Sequence, residues 1–89
     1  DITTLARSIQ GVEMVLFFKE MEKDAYRVSI RAKGEADAIF VAEHFGGGGH
    51  LHAAGFTAKG KYEELLKEIP DKVEKLLERN KLKKKNKIG

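Results

Sequence analysis

The sequence predicts an α/β domain in which a small mixed β-sheet is flanked by α-helices, folded as one unit. Three observations carry that expectation. Ala25 to Lys33 alternate cleanly, with Tyr26, Val28 and Ile30 on one side and Arg27, Ser29 and Arg31 on the other, as in a half-buried strand. Ala38, Val41, Ala42 and Phe45 then fall at i, i+3, i+4 and i+7, giving a helix one apolar face. A second helical pattern over Lys61 to Asn80 places Tyr62, Leu65, Leu66, Ile69, Val73, Leu76 and Leu77 on one broad stripe.

The elements follow in order. Ile2, Leu5, Ala6 and Ile9 have helical spacing with Gly11 as a stop, so residues 1–10 read as the end of a helix from a longer chain. Val12 to Lys19 is rich in β-branched and aromatic residues with apolar side chains on both alternating faces, the pattern of a strand buried on both sides. Met21 to Asp24 break the run, and the short spacing to Ala25 predicts an antiparallel hairpin. Asp37 is placed to cap the first helix. Ile39 and Phe40 lie off its stripe and face a sheet edge or a missing neighbour. A short strand around Phe56 to Ala58 follows, and the strand–helix–strand order favours a right-handed crossover if the two strands are parallel neighbours. Pro70 lies inside the second helical region and removes an N–H, which predicts a kink or a break and restart.

Size and charge set further bounds. The 89 residues make one small domain, near the low end of what buries a self-sufficient core. With no cysteine, a disulfide framework and thiolate metal sites are excluded, which fits a reducing compartment. No signal-peptide pattern opens the chain, and no apolar run reaches the roughly 18 residues of a membrane span, so the reading is a soluble, cytoplasmic domain. The net charge of +3 is unevenly spread. Lys81 to Gly89 hold five lysines and no acid, leaving 12 basic and 14 acidic residues before them. Residues 1–80 are therefore the folded domain, and 81–89 read as a basic tail, a solvated and frayed end.

The chemistry concentrates in Gly46-Gly47-Gly48-Gly49-His50-Leu51-His52-Ala53-Ala54-Gly55. Four consecutive glycines lose much backbone entropy on ordering. A helix end explains one of them, Gly46 or Gly47. The others suggest a backbone that another molecule approaches closely, with its N–H groups turned to an anion. His50 follows directly, then small Ala53, Ala54 and Gly55, as around a tight pocket with one polar side chain at its mouth. His44, His50 and His52 raise metal ligation, but no carboxylates cluster with them in sequence. His50 is accordingly read as a ligand-contacting donor, with a structural hydrogen bond as the rival.

Other chemistries find no residues. A phosphate loop of the nucleotide-hydrolase type lacks its terminal Lys-Ser/Thr pair and follows the wrong element. No serine or cysteine nucleophile pairs with a base, and no two carboxylates are placed for glycosidic chemistry. A base-reading helix and an aromatic stacking strand of the RNA-recognition type are absent from the reading. Catalysis by this chain alone is not expected, and no residue is assigned a catalytic role.

With these residues in view, GGGGHLHAAG, preceded by Ala42-Glu43-His44-Phe45, resembles the signature of the DHH-associated domain, the C-terminal substrate-binding domain of DHH-family phosphoesterases. Val28-Ser29-Ile30-Arg31-Ala32 is similar to that family's second motif, usually Ser-Leu-Arg-Ser, with Ala32 where serine is usual. The similarity covers nearly all of residues 5–80 and is strongest to the nanoRNase/pAp-phosphatase subgroup, which trims short oligoribonucleotides and dephosphorylates 3′-phosphoadenosine 5′-phosphate. RecJ-type exonucleases, cyclic dinucleotide phosphodiesterases and the C-terminal domain of alanyl-tRNA synthetase share the module. The resemblance implies that Arg31 and His50 contact substrate phosphate with Gly47, Gly48 and Gly49 beside it, and that Ser29 belongs to the same site. It also implies a separate N-terminal DHH catalytic domain holding two manganese ions through Asp and His, none of them here because the chain has no Asp-His-His sequence. The expected partners are an oligoribonucleotide or nucleotide phosphate and that catalytic domain, with homodimerisation left open. Two rival readings are a nucleic-acid-binding module of the synthetase or RecJ type and a ligand-free dimerisation domain.

Overall fold

A computed structural model describes the backbone of residues 2–9, 11–34 and 36–86, with the side chains at 9, 12 and 80–86 outside the description. The element order is β1 (Ile2–Ile9), β2 (Val12–Glu22), β3 (Ala25–Lys33), α1 (Ala38–His44), β4 (Gly48–His50), β5 (Ala53–Lys59) and α2 (Tyr62–Asn86). The strands form one sheet in the order β1-β2-β3-β5-β4. Small α/β architecture is as the patterning predicts, but the sheet is antiparallel throughout rather than mixed.

That difference begins at the first element. Residues Ile2–Ile9 are a strand, not a helix end, paired along their length with β2 from Ile2↔Lys19 to Ile9↔Val12. Eight residues are too few to separate the two periods, and the β-branched Ile2, Thr3, Thr4 and Ile9 favour the extended form. Gly11, at φ +83°, marks the tight connection to β2 rather than a helix stop. Partners β2 and β3 form the expected hairpin, with a register shift between Glu20 and Glu22 and Asp24 left-handed at φ 59°.

Met14, Leu16 and Phe18 of β2, Tyr26, Val28 and Ile30 of β3, and Phe56 of β5 are buried on the side covered by the helices. The reading of β2 as buried on both sides is corrected here, because Val15 and Phe17 are only half-buried on the opposite side. Helix α1 adds buried Ala38, Val41 and Ala42, and α2 adds Leu65, Ile69, Val73, Leu76 and Leu77. At one end of this layer, the Tyr26 and Tyr62 rings lie 5.6 Å apart and Tyr62 hydrogen-bonds the Thr3 hydroxyl. Burial, and then the adjacent Glu20 carboxylate, hold the Tyr26 phenol above its ordinary pKa.

Asp37 caps α1 as its sequence position predicts, accepting from the Phe40 N–H at 3.0 Å. Replacing this cap in a seven-residue helix is expected to cost about 1 kcal/mol, so Asp37→Ala should lower the urea midpoint without changing the slope of the transition. An unchanged midpoint would show that packing alone holds the helix start. Helix α2 runs through Pro70 as one element, with no break and restart. It also continues to Asn86, so the lysine-rich end is helical there rather than frayed. Nothing between Lys81 and Asn86 breaks a helix, and lysines near a helix C-terminus interact favourably with its dipole. The last part of that end, residues 87–89, lies outside the described residues.

Candidate nucleotide-binding face

The strand–α1–strand unit is not a parallel crossover: β3 and β5 pair antiparallel, from Ala25↔Lys59 to Arg31↔Ala53. The glycine stretch is correspondingly part strand. Gly48–His50 form β4 and fold back on β5, which begins at Ala53, earlier than the sequence predicts. Two backbone bonds fix this hairpin against the rest of the fold. The Ala32 N–H donates to the His52 carbonyl at 2.9 Å, and the Ala38 N–H donates to the Leu51 carbonyl at 2.7 Å. The turn after His50 is therefore tied to the residue after Arg31 and to the start of α1.

Register then decides which side chains meet. Directly opposed residues in a sheet share a face. Val15, Arg31, Ala53 and His50 form one row across β2-β3-β5-β4, and Phe17, Ser29, Gly55 and Gly48 form the next. Both rows lie on the side away from the helices. The Arg31 and His50 Cα atoms are separated by two strand spacings, about 10 Å, with only the Ala53 methyl between them. Ser29, Arg31, Gly48 and His50, all singled out by sequence, are thus brought together on one open face.

The four glycines divide by role. Gly46 is left-handed at φ +82° and donates to the Glu43 carbonyl at 3.0 Å, while Gly47 donates to the Ala42 carbonyl at 2.8 Å. These two bonds are a Schellman closure of α1. A Cβ at Gly47 would also lie 2.1 Å from the Gly55 carbonyl oxygen and 2.6 Å from Phe56 Cβ. Gly49 has φ +144°, and a Cβ there would meet Ala54 Cα at 2.5 Å. Structure therefore employs three glycines where the sequence reading assigned one, and the Gly47 N–H is already committed. Gly48 differs: its φ is ordinary and a Cβ there would meet nothing within 4 Å. It is the glycine that the fold does not require. The Ala32–His52 bond also sets the pairing alternation, which bonds Gly48 and His50 to β5 and turns the Gly49 N–H toward the outer edge of the sheet.

Electrostatics on this face are lopsided. Lys19, Arg27, Arg31, Lys33 and Lys59 project from it, against two carboxylates among the described residues, Glu13 and Glu22. The ion pairs among the described residues are Arg7–Glu74 at 4.0 Å and Lys75–Asp71 at 3.4 Å, so neither Arg27 nor Arg31 is matched to a carboxylate. Arg27 is exposed, as the sequence suggests, but its guanidinium lies across Gly55, with Nη2 at 3.0 Å and Cζ at 3.3 Å from where a Cβ would stand. Sequence reasoning gave Arg27 no part in the site. The available signal was the glycine two strand positions before Thr57, whose missing side chain makes room for the guanidinium.

A family profile described as the DHHA1 domain matches residues 2–79, nearly all of the sheet and both helices. The chain belongs to the DHHA1 domain family. This DHHA1 chain is 35% identical over 78 residues to a Thermus thermophilus protein named bifunctional oligoribonuclease and PAP phosphatase NrnA, covering 82% of the chain and 24% of that protein. A Mycoplasma pneumoniae protein of the same name is 36% identical over 64 residues, covering 72% of the chain and 19% of that protein. The DHHA1 chain therefore spans about a quarter or less of the length of the curated relatives it matches. Among its described residues no three His, Asp or Glu side chains converge as a metal site requires, and no helix is long and apolar enough to cross a membrane. His44 lies beside the Phe40 and Phe45 rings at the end of α1, apart from the row that carries His50.

Proposed function

We propose that this DHHA1 domain is the substrate-binding part of a DHH-family phosphoesterase that acts on short oligoribonucleotides and 3′-phosphoadenosine 5′-phosphate, and that it holds a substrate phosphate between Arg31 and His50. The observation that carries the reading is the row Arg31–Ala53–His50 on a helix-free face, with Gly48 beside it and no carboxylate among the described residues matched to the arginine. Arginine supplies a permanently charged fork that suits phosphate, His50 adds a ring donor, and Ala53 and Gly48 leave the anion room to reach the sheet. Ser29 offers a hydroxyl in the adjoining row, and the edge-directed Gly49 N–H adds a backbone donor. Gly47 contributes by holding β4 against β5 rather than by donating to the ligand. Arg27, reaching over Gly55, adds a second guanidinium to the same cradle.

The hydrolytic step belongs in this reading to an N-terminal DHH domain of the same protein, where Asp and His residues hold manganese. This chain's residues bind and orient the phosphate and move no proton in that step. The test is titration of the chain with a 5′-phosphorylated diribonucleotide, followed by amide shifts. Shifts should centre on Arg31, Gly48, Gly49, His50 and Gly55, and affinity should fall as salt rises because phosphate contacts release counterions. Shifts confined to α2 would reject the site. Manganese-dependent turnover by the chain alone would reject the division of labour, and tight binding of a tRNA acceptor stem with no response to short ligands would favour a synthetase-type module.

A further inference from the structure

The helix-free face carries one aromatic residue that the phosphate cradle leaves unused. Phe18, Phe40, Phe45 and Phe56 all belong to the core or pack against it, whereas Phe17 does not. It is half-buried on the other side of β2, directly opposite Ser29, in the row that continues to Gly55 and Gly48. Val15 lies beside it in the Arg31 row, and Lys19 lies on its other side opposite Arg27. Phe17 and Gly55 are two strand spacings apart, about 10 Å between Cα atoms, so the ring and the guanidinium folded over Gly55 flank Ser29. Side chains reaching in from the two ends of this row can meet the base and the phosphate of a single nucleotide, which its sugar holds apart. The sequence reading found no stacking strand because Phe17 and Phe18 together looked like a strand with two buried sides.

We propose that Phe17 is a stacking platform for the nucleobase of the ligand whose phosphate lies on Arg27, Arg31 and His50. The open face therefore takes a nucleotide by its base as well as its phosphate. The inference rests on the phosphate reading above and adds its second anchor. An aromatic ring recognises any base, because every base offers a π-face, so the platform selects nucleotides over simple phosphates without choosing among bases. The positive charge of the face fits this occupant better than it fits a second, equally cationic copy of the same surface. The same chemistry serves a free nucleoside 3′,5′-bisphosphate and the end of a short RNA.

The test compares wild type, Phe17→Leu and Phe17→Trp with ribose 5-phosphate, adenosine 3′,5′-bisphosphate and 5′-phosphorylated diadenylate. Phe17→Leu keeps an apolar side chain and removes the ring. It should lose about tenfold in affinity for base-bearing ligands and keep its affinity for ribose 5-phosphate. A loss restricted to the diadenylate assigns the platform to RNA, and one restricted to the bisphosphate assigns it to the free nucleotide. Phe17→Trp should retain binding, and its fluorescence should be quenched by base-bearing ligands, cleanly read because the chain has no other tryptophan. Unchanged affinity for both base-bearing ligands overturns the proposal, as does an equal loss for all three. A change of oligomeric state at unchanged affinity also overturns it, by assigning the ring to a second copy. The phosphate reading fails separately, if Arg31→Ala leaves ribose 5-phosphate binding intact.

Discussion

Gly47→Ala is expected to destabilise the domain by about 3 kcal/mol, the upper part of the range for overpacking a close contact. The Cβ would stand 2.1 Å from the Gly55 carbonyl oxygen and 2.8 Å from Phe56 Cα, both backbone atoms that move only with β5. Phe56 cannot yield easily, since its side chain is fully buried and stacked on Phe45 at 4.4 Å. Opening the contact also stretches the Gly47 N–H bond to Ala42 that closes α1. At this size the loss corresponds to a fall in Tm on the order of 15 °C. Gly48→Ala is the matched control: same strand region, ordinary φ and open space, with stability expected within about 0.5 kcal/mol of wild type. Thermal unfolding followed by circular dichroism separates them. Coincident melting curves for the two variants would show that β4 does not lie this close to β5.

Arg31→Ala is expected to weaken binding of a 5′-phosphorylated diribonucleotide roughly tenfold to a hundredfold, from the loss of a charged hydrogen bond worth about 1.5–3 kcal/mol. His50→Ala should fall in the same range, and its side chain is exposed, so neither change should shift the melting temperature. Gly48→Val carries the sharper expectation. The backbone there does not need glycine, so added bulk acts on the ligand's approach and lowers affinity while folding stays intact. Arg27→Ala belongs with this group and not with the controls, because its guanidinium already lies over Gly55. Lys67→Ala, exposed on α2, is the better control. Isothermal titration on folded variants gives the comparison. Wild-type affinity in Arg31→Ala and Gly48→Val together would remove the phosphate from this face.

How much of this was legible depends on how far each signal reaches. The alternation of Ala25 to Lys33 placed Ser29 and Arg31 on a polar face correctly, because one strand carries its own period. Asp37 announced its cap for a similar reason: the contact it makes is three residues away. The eight residues of β1 failed the same treatment, since their apolar spacing suits either period and only pairing with β2 decides between them. Phe17 failed for a related reason, as an apolar side chain on a strand does not say whether a second layer covers it.

By itself the sequence determined that the chain is a small α/β unit, that Ser29, Arg31 and the glycine–histidine run are its candidate site residues, and which family it resembles. Tertiary structure decided what those residues share. Register between β3, β5 and β4 sets Arg31 and His50 across one alanine, and no local pattern contains that register. It also sorted the glycines, because a glycine's purpose lies in the atoms its absent side chain would strike. Gly55 and Phe56 exclude a side chain at Gly47, Ala54 excludes one at Gly49, and nothing within 4 Å excludes one at Gly48. Those neighbours are separated from the glycines by a chain reversal. Short-range preference fixes an element's period, but only the folded sheet fixes which backbone another residue must meet.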